Sequence, residues 1–221
     1  WHTSDVTVTW SVVDEESDIT SQTGCDPITI ITDTSGVTLT CEASSAGGTA
    51  SESVTLKRDA TAPTLNPVVS PNPVALGGSA SVVSGASDAL SGLASATCDP
   101  VDTGSAGSKS LSCTATDNAG NTATATASYR VLSALELLGA LTEQVKSLRL
   151  HHGTERALVA QLTAARHLLA RDRDDAAVRV VNAFIKTVES LTGKPRVGIP
   201  AADAASLKDA AREVVAAIRL E

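Results

Sequence analysis

Hydrophobic and polar residues alternate strictly along several short stretches of the first 132 residues. Val6, Val8, Trp10 and Val12 share one face of residues 5–12, and Asp5, Thr7, Thr9 and Ser11 share the other. Val37, Leu39, Cys41 and Ala43 repeat the pattern. Ala123, Ala125, Ala127, Tyr129 and Val131 do so again, opposite Thr122, Thr124, Thr126 and Ser128. A period of two marks a strand with one face buried. Clusters of Gly, Ser, Asp and Pro punctuate the runs, as turns require. Several short strands within about 65 residues predict a small antiparallel sandwich.

After Val131 the period changes to three and four. Leu135, Leu138, Leu141, Val145 and Leu148 line a first helix, with Ser133 at its N-cap and Glu136 at the capping-box position. A second helix is expected after Gly153, capped by Thr154 and striped by Leu158, Leu162, Ala165 and Leu169. A third spans residues 174–191, with Val178, Val181, Phe184, Ile185, Val188 and Leu191 apolar and with Gly193 and Pro195 ending it. A fourth follows Pro200 and carries Leu207, Ala211, Val214, Val215 and Ile218. Four amphipathic helices with short loops predict a compact antiparallel bundle.

The β part contains an internal repeat. "CDPITIITDTSGVTLTC" at residues 25–41 and "CDPVDTGSAGSKSLSC" at 98–113 both open on Cys-Asp-Pro and both close on Leu, a hydroxyl residue and Cys. The match extends outward: Asp14 lies over Asp88, Leu39 over Leu111, Ala46-Gly47 over Ala119-Gly120, at offsets of 72 to 74. One small domain is therefore used twice. A domain of this size buries little apolar surface, and a cross-link closing a loop of about 16 residues contributes roughly 3 kcal/mol in the chain-entropy account. Four cysteines allow 3 pairings. The repeat selects Cys25–Cys41 and Cys98–Cys113, because each copy then closes on itself. Structural zinc ligands come in closely spaced pairs, which these cysteines do not form, so disulfides and an oxidising, extracytoplasmic location are expected.

Residues 59–73, "DATAPTLNPVVSPNP", hold four prolines, which favour extended backbone. The expected domains are 1–62, 63–132 and 133–221, with a semi-rigid joint near Ala62-Pro63. Charge differs between the parts. Residues 1–132 carry four Lys/Arg against fourteen Asp/Glu, and residues 133–221 carry thirteen against eleven, within a net −8. An acidic first part repels a phosphate backbone, so no nucleic-acid partner is expected. No apolar run reaches the roughly 20 residues of a membrane span. The chain has no Met and opens on Trp1, so a processed or excised piece of a longer product is expected.

Candidate chemistry is sparse. The sequence holds no G-x-S-x-G elbow, Gly-rich phosphate loop or H-E-x-x-H. His151-His152 flank Gly153 at an expected helix end, where imidazoles would complement the dipole; His167 lies beside an apolar stripe. Asp14, Glu15, Glu16 and Asp18 form an acidic cluster, but only the first acid persists in the repeat equivalent at Asp88. A solvated turn is the expectation, with Asp14 and Asp88 bonding backbone N–H groups. Calcium is the alternative reading for Asp14, Glu16, Asp18 and Asp117; otherwise no cofactor is expected. Of the four aromatics, Trp10, Tyr129 and Phe184 fall on expected core faces, which leaves only Trp1 and argues against a flat sugar-binding platform.

Residues 113–131, "CTATDNAGNTATATASYRV", and the opening "WHTSDVTVTWSVVDEESDI" resemble the bacterial immunoglobulin-like and HYR-type repeats of large secreted or surface proteins. The resemblance covers 1–132 and implies an Ig-like β-sandwich and a spacer or adhesion role. The first copy departs from it with Ser44-Ser45-Ala46-Gly47-Gly48 where the second has Asp117-Asn118-Ala119-Gly120-Asn121. "VVNAFIKTVESLTGK" followed by "IPAADAASLKDAAREVVAAI" resembles the helical FIMAH-type module of secreted bacterial proteins, through Asn182, Ala183, Phe184 and Ile185, then Ile199, Ala204, Leu207 and Ala210. That resemblance implies an accessory, non-catalytic module.

The expected architecture is thus multidomain β + α: two small disulfide-bonded Ig-like β-sandwiches followed by a four-helix bundle. The expected function is a non-catalytic extracellular stalk, adhesion or docking segment with a protein or cell-surface partner. Two alternatives stand beside it: the accessory module of a secreted enzyme, and the subunit of a self-assembling extracellular filament.

Overall fold

The computed structural model describes residues 1–195 and 198–221. The chain packs as two compact units: Trp1–Val68 with Val83–Asp99 and Ser112–Ala127, and Val69–Val82 with Pro100–Leu111 and Ser128–Glu221. The second repeat contributes to both.

The first repeat holds β1 (Val6–Val8), β2 (Ile19–Thr23), β3 (Ile28–Ile30), β4 (Thr34–Ser45) and β5 (Gly48–Arg58). β1 pairs antiparallel with β3, and a second sheet has the order β2-β4-β5. β4 and β5 form a long hairpin in which Leu39 faces Val54 and Cys41 faces Glu52. The alternation of residues 5–12 yields a strand only over Val6–Val8; Trp10 and Val12 keep their face but lie beyond the ladder.

The second repeat holds β6 (Val68–Ser70), β7 (Val74–Ala75), β8 (Ser81–Val83), β9 (Leu93–Cys98), β10 (Gly107–Asp117) and β11 (Thr122–Leu132). β6 pairs with β8, and the remaining four form the order β7-β11-β10-β9. The run β9-β10-β11 therefore repeats β2-β4-β5. Its register is shifted by one residue: Thr114 faces Thr97, the residue before Cys98, whereas Glu42 faces Thr23, two residues before Cys25. Cys25 is bonded to Cys41 and Cys98 to Cys113, and there is no free cysteine. Within the second unit the Tyr129 hydroxyl bridges the backbone of Asp102, accepting from its N–H and donating to its carbonyl, each at 3.0 Å.

Four helices follow: α1 (Ala134–Ser147), α2 (His152–Leu169), α3 (Asp174–Leu191) and α4 (Ala201–Ile218). Ser133 and Glu136 form the expected capping box, and Arg130 pairs with Glu136. α1 packs on α2 and α4, and α3 packs on the same two. Leu138, Leu141, Leu158, Leu162, Phe184, Ile199 and Leu207 are fully buried between them. At the base of the bundle the Ala134 N–H donates to the Glu221 carboxylate at 3.0 Å. Leu220 lies against Gly77, whose missing side chain leaves the room: a Cβ there would come within 2.2 Å of Leu220.

Two expectations are corrected. α2 begins at His152 rather than after Gly153, and its cap is His151, whose Nδ1 accepts from the Gly153 N–H at 3.3 Å. Thr154 is thus inside the first turn. The His151-His152 pair stands at the N-terminal end of α2, so the first imidazole caps free N–H groups instead of facing the carbonyls of a helix end. Trp10 is only half-buried, whereas Tyr129 and Phe184 are core residues.

Candidate metal centre

The joint between the repeats lies wholly in the first unit. β5 ends on Arg58, and Asp59 follows it. Arg58 pairs with Asp5 at 2.9 Å and Asp33 at 2.5 Å. Asp33 also accepts from the Ala60 N–H at 3.0 Å and the Thr61 hydroxyl at 2.7 Å, which fixes the chain as it leaves β5. These partners hold the Asp33 carboxyl below the usual range, the Thr61 hydroxyl first, then the Ala60 N–H and Arg58, against a smaller opposing effect of burial.

This anchoring places Asp59 beside two acids of the second repeat. One carboxylate oxygen from each of Asp59, Asp88 and Asp117 lies within 4.8 Å of the other two. Asp59 is 0 % and Asp117 1 % exposed. Each is oriented by neutral donors. Asp59 accepts from the N–H groups of Thr61 at 3.0 Å and Ser91 at 3.1 Å. Asp88 closes the turn before β9, taking N–H bonds from Leu90 at 3.1 Å and Gly92 at 2.7 Å and one from the Ser91 hydroxyl. Gly92 has φ +79°, a left-handed conformation that a side chain would strain. Asp117 closes the β10–β11 turn, accepting from Gly120 at 2.7 Å and from Asn121 at 2.8 Å. Burial pushes the Asp117 carboxyl up, but the Asn121 side chain and the N–H groups of Asn121, Gly120 and Ala119 together hold it below the ordinary value.

The arrangement suits a hard divalent cation. Buried carboxylates repel one another unless a positive charge offsets them, and among the described residues no Lys, Arg or His forms an ion pair with these three. Oxygen-only donors of this kind fit Ca²⁺, which accepts six to eight oxygens at about 2.3–2.6 Å.

Of the acids read as calcium candidates from sequence, only Asp117 belongs to this group. Asp14 instead caps its own turn, accepting from the N–H groups of Glu16 at 2.9 Å and Ser17 at 3.1 Å and from the Ser17 hydroxyl at 3.0 Å. The Ser45 hydroxyl first, then Glu16 and Ser17, lower its pKa to about 2. Glu16 and Asp18 join no acid cluster among the described residues. The reason is local. Where the second repeat has Asp117, four residues past Cys113, the first has Ser45, four past Cys41, so Asp14 meets a hydroxyl and no acid. Asp59 was missed because it was read as the start of a linker; an acid placed immediately after the last strand, before Thr-Ala-Pro, was the available signal.

No curated protein matches the chain in sequence. Residues 134–216, the span from α1 into α4, match the family model of the FIMAH domain.

Proposed function

We propose that this chain is a non-catalytic segment of an extracellular stalk or adhesion protein, in which two Ig-like β-sandwich repeats space or present a C-terminal docking module. The observation that carries the reading is duplication: one sheet order and one disulfide recur, as β2-β4-β5 with Cys25–Cys41 and as β9-β10-β11 with Cys98–Cys113. Repeating a small cross-linked fold adds reach without adding chemistry, and such cross-links persist in oxidising compartments. The FIMAH match over 134–216 supports an accessory module at the far end. The bonds from Asp33 and Asn121 to residues 59–61 favour a fixed joint, which suits a spacer.

The test is a bead assay. Oxidised chain is fixed through residue 1 to beads and passed under flow over the producing cells, with light scattering at micromolar concentration alongside. A stalk or adhesion segment retains the beads and stays monomeric in solution. Polymers without retention would replace this reading with the filament one.

A further inference from the structure

Both repeats open their cross-linked loop on Cys-Asp-Pro, and we infer that the Asp26–Pro27 peptide bond is a self-cleavage site, which its counterpart Asp99–Pro100 is not. The chemistry needs only the aspartate and water. A side-chain oxygen of Asp26 attacks its own main-chain carbonyl carbon and closes a cyclic anhydride. The carbon–nitrogen bond to Pro27 breaks, and the proline nitrogen takes a proton and leaves as a secondary amine. Water then opens the anhydride to the side-chain and terminal carboxyl groups of Asp26. One water is consumed, and nothing is oxidised or reduced. Proline directs the reaction this way, because it has no N–H with which to attack the side chain and form the competing cyclic imide.

The fold separates the two copies. In the second repeat Cys98 lies opposite Cys113 in the β9–β10 ladder, and Asp99 follows opposite Ser112. The Asp99 N–H donates to the Ser112 carbonyl at 2.9 Å, and the Asp99 carboxylate accepts from the Ser112 N–H at 3.1 Å. Attack on its own carbonyl would break that second bond. In the first repeat the register is one residue out, with Thr23 opposite Glu42. Gly24 then passes so close to Thr40 that a Cβ there would lie 2.3 Å from the Thr40 carbonyl oxygen. The shift carries Asp26 past Thr40, the counterpart of Ser112. The Asp26 carboxylate accepts no hydrogen bond and joins no ion pair among the described residues. Asp26, Pro27 and Ile28 are exposed. The side chain is free to turn onto its own carbonyl, and water reaches the bond.

The place of the bond decides what its cleavage does. It lies just inside the loop closed by Cys25–Cys41, so a break there leaves residues 1–26 covalently joined to the rest. The chain is nicked and not severed, and a free amino end appears at Pro27, directly before β3.

In the experiment the full oxidised chain and its Pro27→Ala variant are held at about pH 4, where a carboxylic acid and its carboxylate coexist, in buffer and in denaturing urea. Mass spectrometry is run with and without reduction. In buffer the unaltered chain is expected to gain the mass of one water and, once reduced, to separate into residues 1–26 and 27–221. The Asp26–Pro27 bond is expected to break about tenfold or more faster than Asp99–Pro100, the advantage of a carboxylate freed from one hydrogen bond. In urea the two rates are expected to converge, because Ile28 and Val101 make the flanking sequences nearly alike. Pro27→Ala is expected to remove the fragment pair. No cleavage at Asp26–Pro27, equal cleavage of the two bonds in buffer, the same inequality in urea, or an undiminished fragment pair from Pro27→Ala overturns the inference.

Discussion

Asn121 donates its side-chain amide to the backbone carbonyl of Asp59 at 2.9 Å, across 62 residues of sequence, and to the Asp117 carboxylate at 2.8 Å. The same amide reaches the Thr61 carbonyl at 3.2 Å. One side chain thus binds the end of the first repeat to the turn of the second. Asn121→Ala strips donors from three acceptors, one of them a buried carboxylate. The expected cost is about 1–3 kcal/mol, read as a lower midpoint in urea by the fluorescence of Trp1 and Trp10.

The acids beside that amide give a metal prediction. If Ca²⁺ occupies the group formed by Asp59, Asp88 and Asp117, it stabilises the folded chain by about 2.7 kcal/mol when present at a hundred times its dissociation constant. Thermal unfolding in millimolar CaCl₂ against EDTA is expected to show a higher midpoint with calcium, and Asp117→Asn is expected to abolish the difference. Identical midpoints in CaCl₂ and EDTA would mean that the neutral donors alone hold the carboxylates.

The two disulfides are expected to matter unequally. Chain entropy assigns each loop, of 16 and 15 residues, roughly 3 kcal/mol. The second repeat also buries Leu111, Ala115, Ala127, Tyr129 and Val131, whereas Cys41 is the one buried apolar residue of residues 1–62. Paired Cys25→Ser and Cys41→Ser substitutions are therefore expected to abolish cooperative unfolding of the first repeat. The equivalent change at Cys98 and Cys113 is expected to lower the second repeat's midpoint but leave a transition. Exchange protection of β4 and β10 separates the two cases.

Acid is expected to weaken the β part over a defined window. The folded Asp14 carboxyl titrates at about 2 instead of 3.8, and those of Asp33, Asp102 and Asp117 are also lowered. Asp102 owes its shift first to the Lys109 ammonium, then to the Gly104 N–H. The unfolded chain binds these protons more readily than the folded one. Their contribution is present above pH ~4 and is lost as pH falls from 3.8 toward 2. A melting series from pH 5 to pH 2 should show the midpoint flat at first and then falling.

In the bundle, Phe184 is fully buried on α3, among Leu158, Leu162 and Leu207 of the same core. Phe184→Ala is expected to cost about 3–5 kcal/mol. Helical circular dichroism during urea unfolding reads that loss.

The elements carried by strong periodicity were legible in the sequence, and the joint was not. The α1 capping box, the apolar stripe of α3 and the repeated cysteine brackets each rest on residues close in sequence, where spacing alone determines the outcome. The start of α2 was misread because Thr is the commoner cap, whereas here the ring nitrogen of His151 takes that role. The carboxylate group depends on Asp59, Asp88 and Asp117, which the fold assembles from the segment after β5 and two separate turns. Their proximity comes from the Arg58–Asp33 anchoring and from a Ser-to-Asp difference between the repeats, neither of which has a period to detect. The half-covered core of the first repeat was equally hidden, because Val6, Val8 and Trp10 alternate as well as any buried strand does.

The central claim is that each repeat closes on its own cross-link, outside the cytosol. Peptide mapping by mass spectrometry of the non-reduced protein, recovered from the medium or surface of the producing cell, tests it most directly. The account predicts linked peptides containing Cys25 with Cys41 and Cys98 with Cys113. Free thiols, or a bond from one repeat to the other, would contradict it.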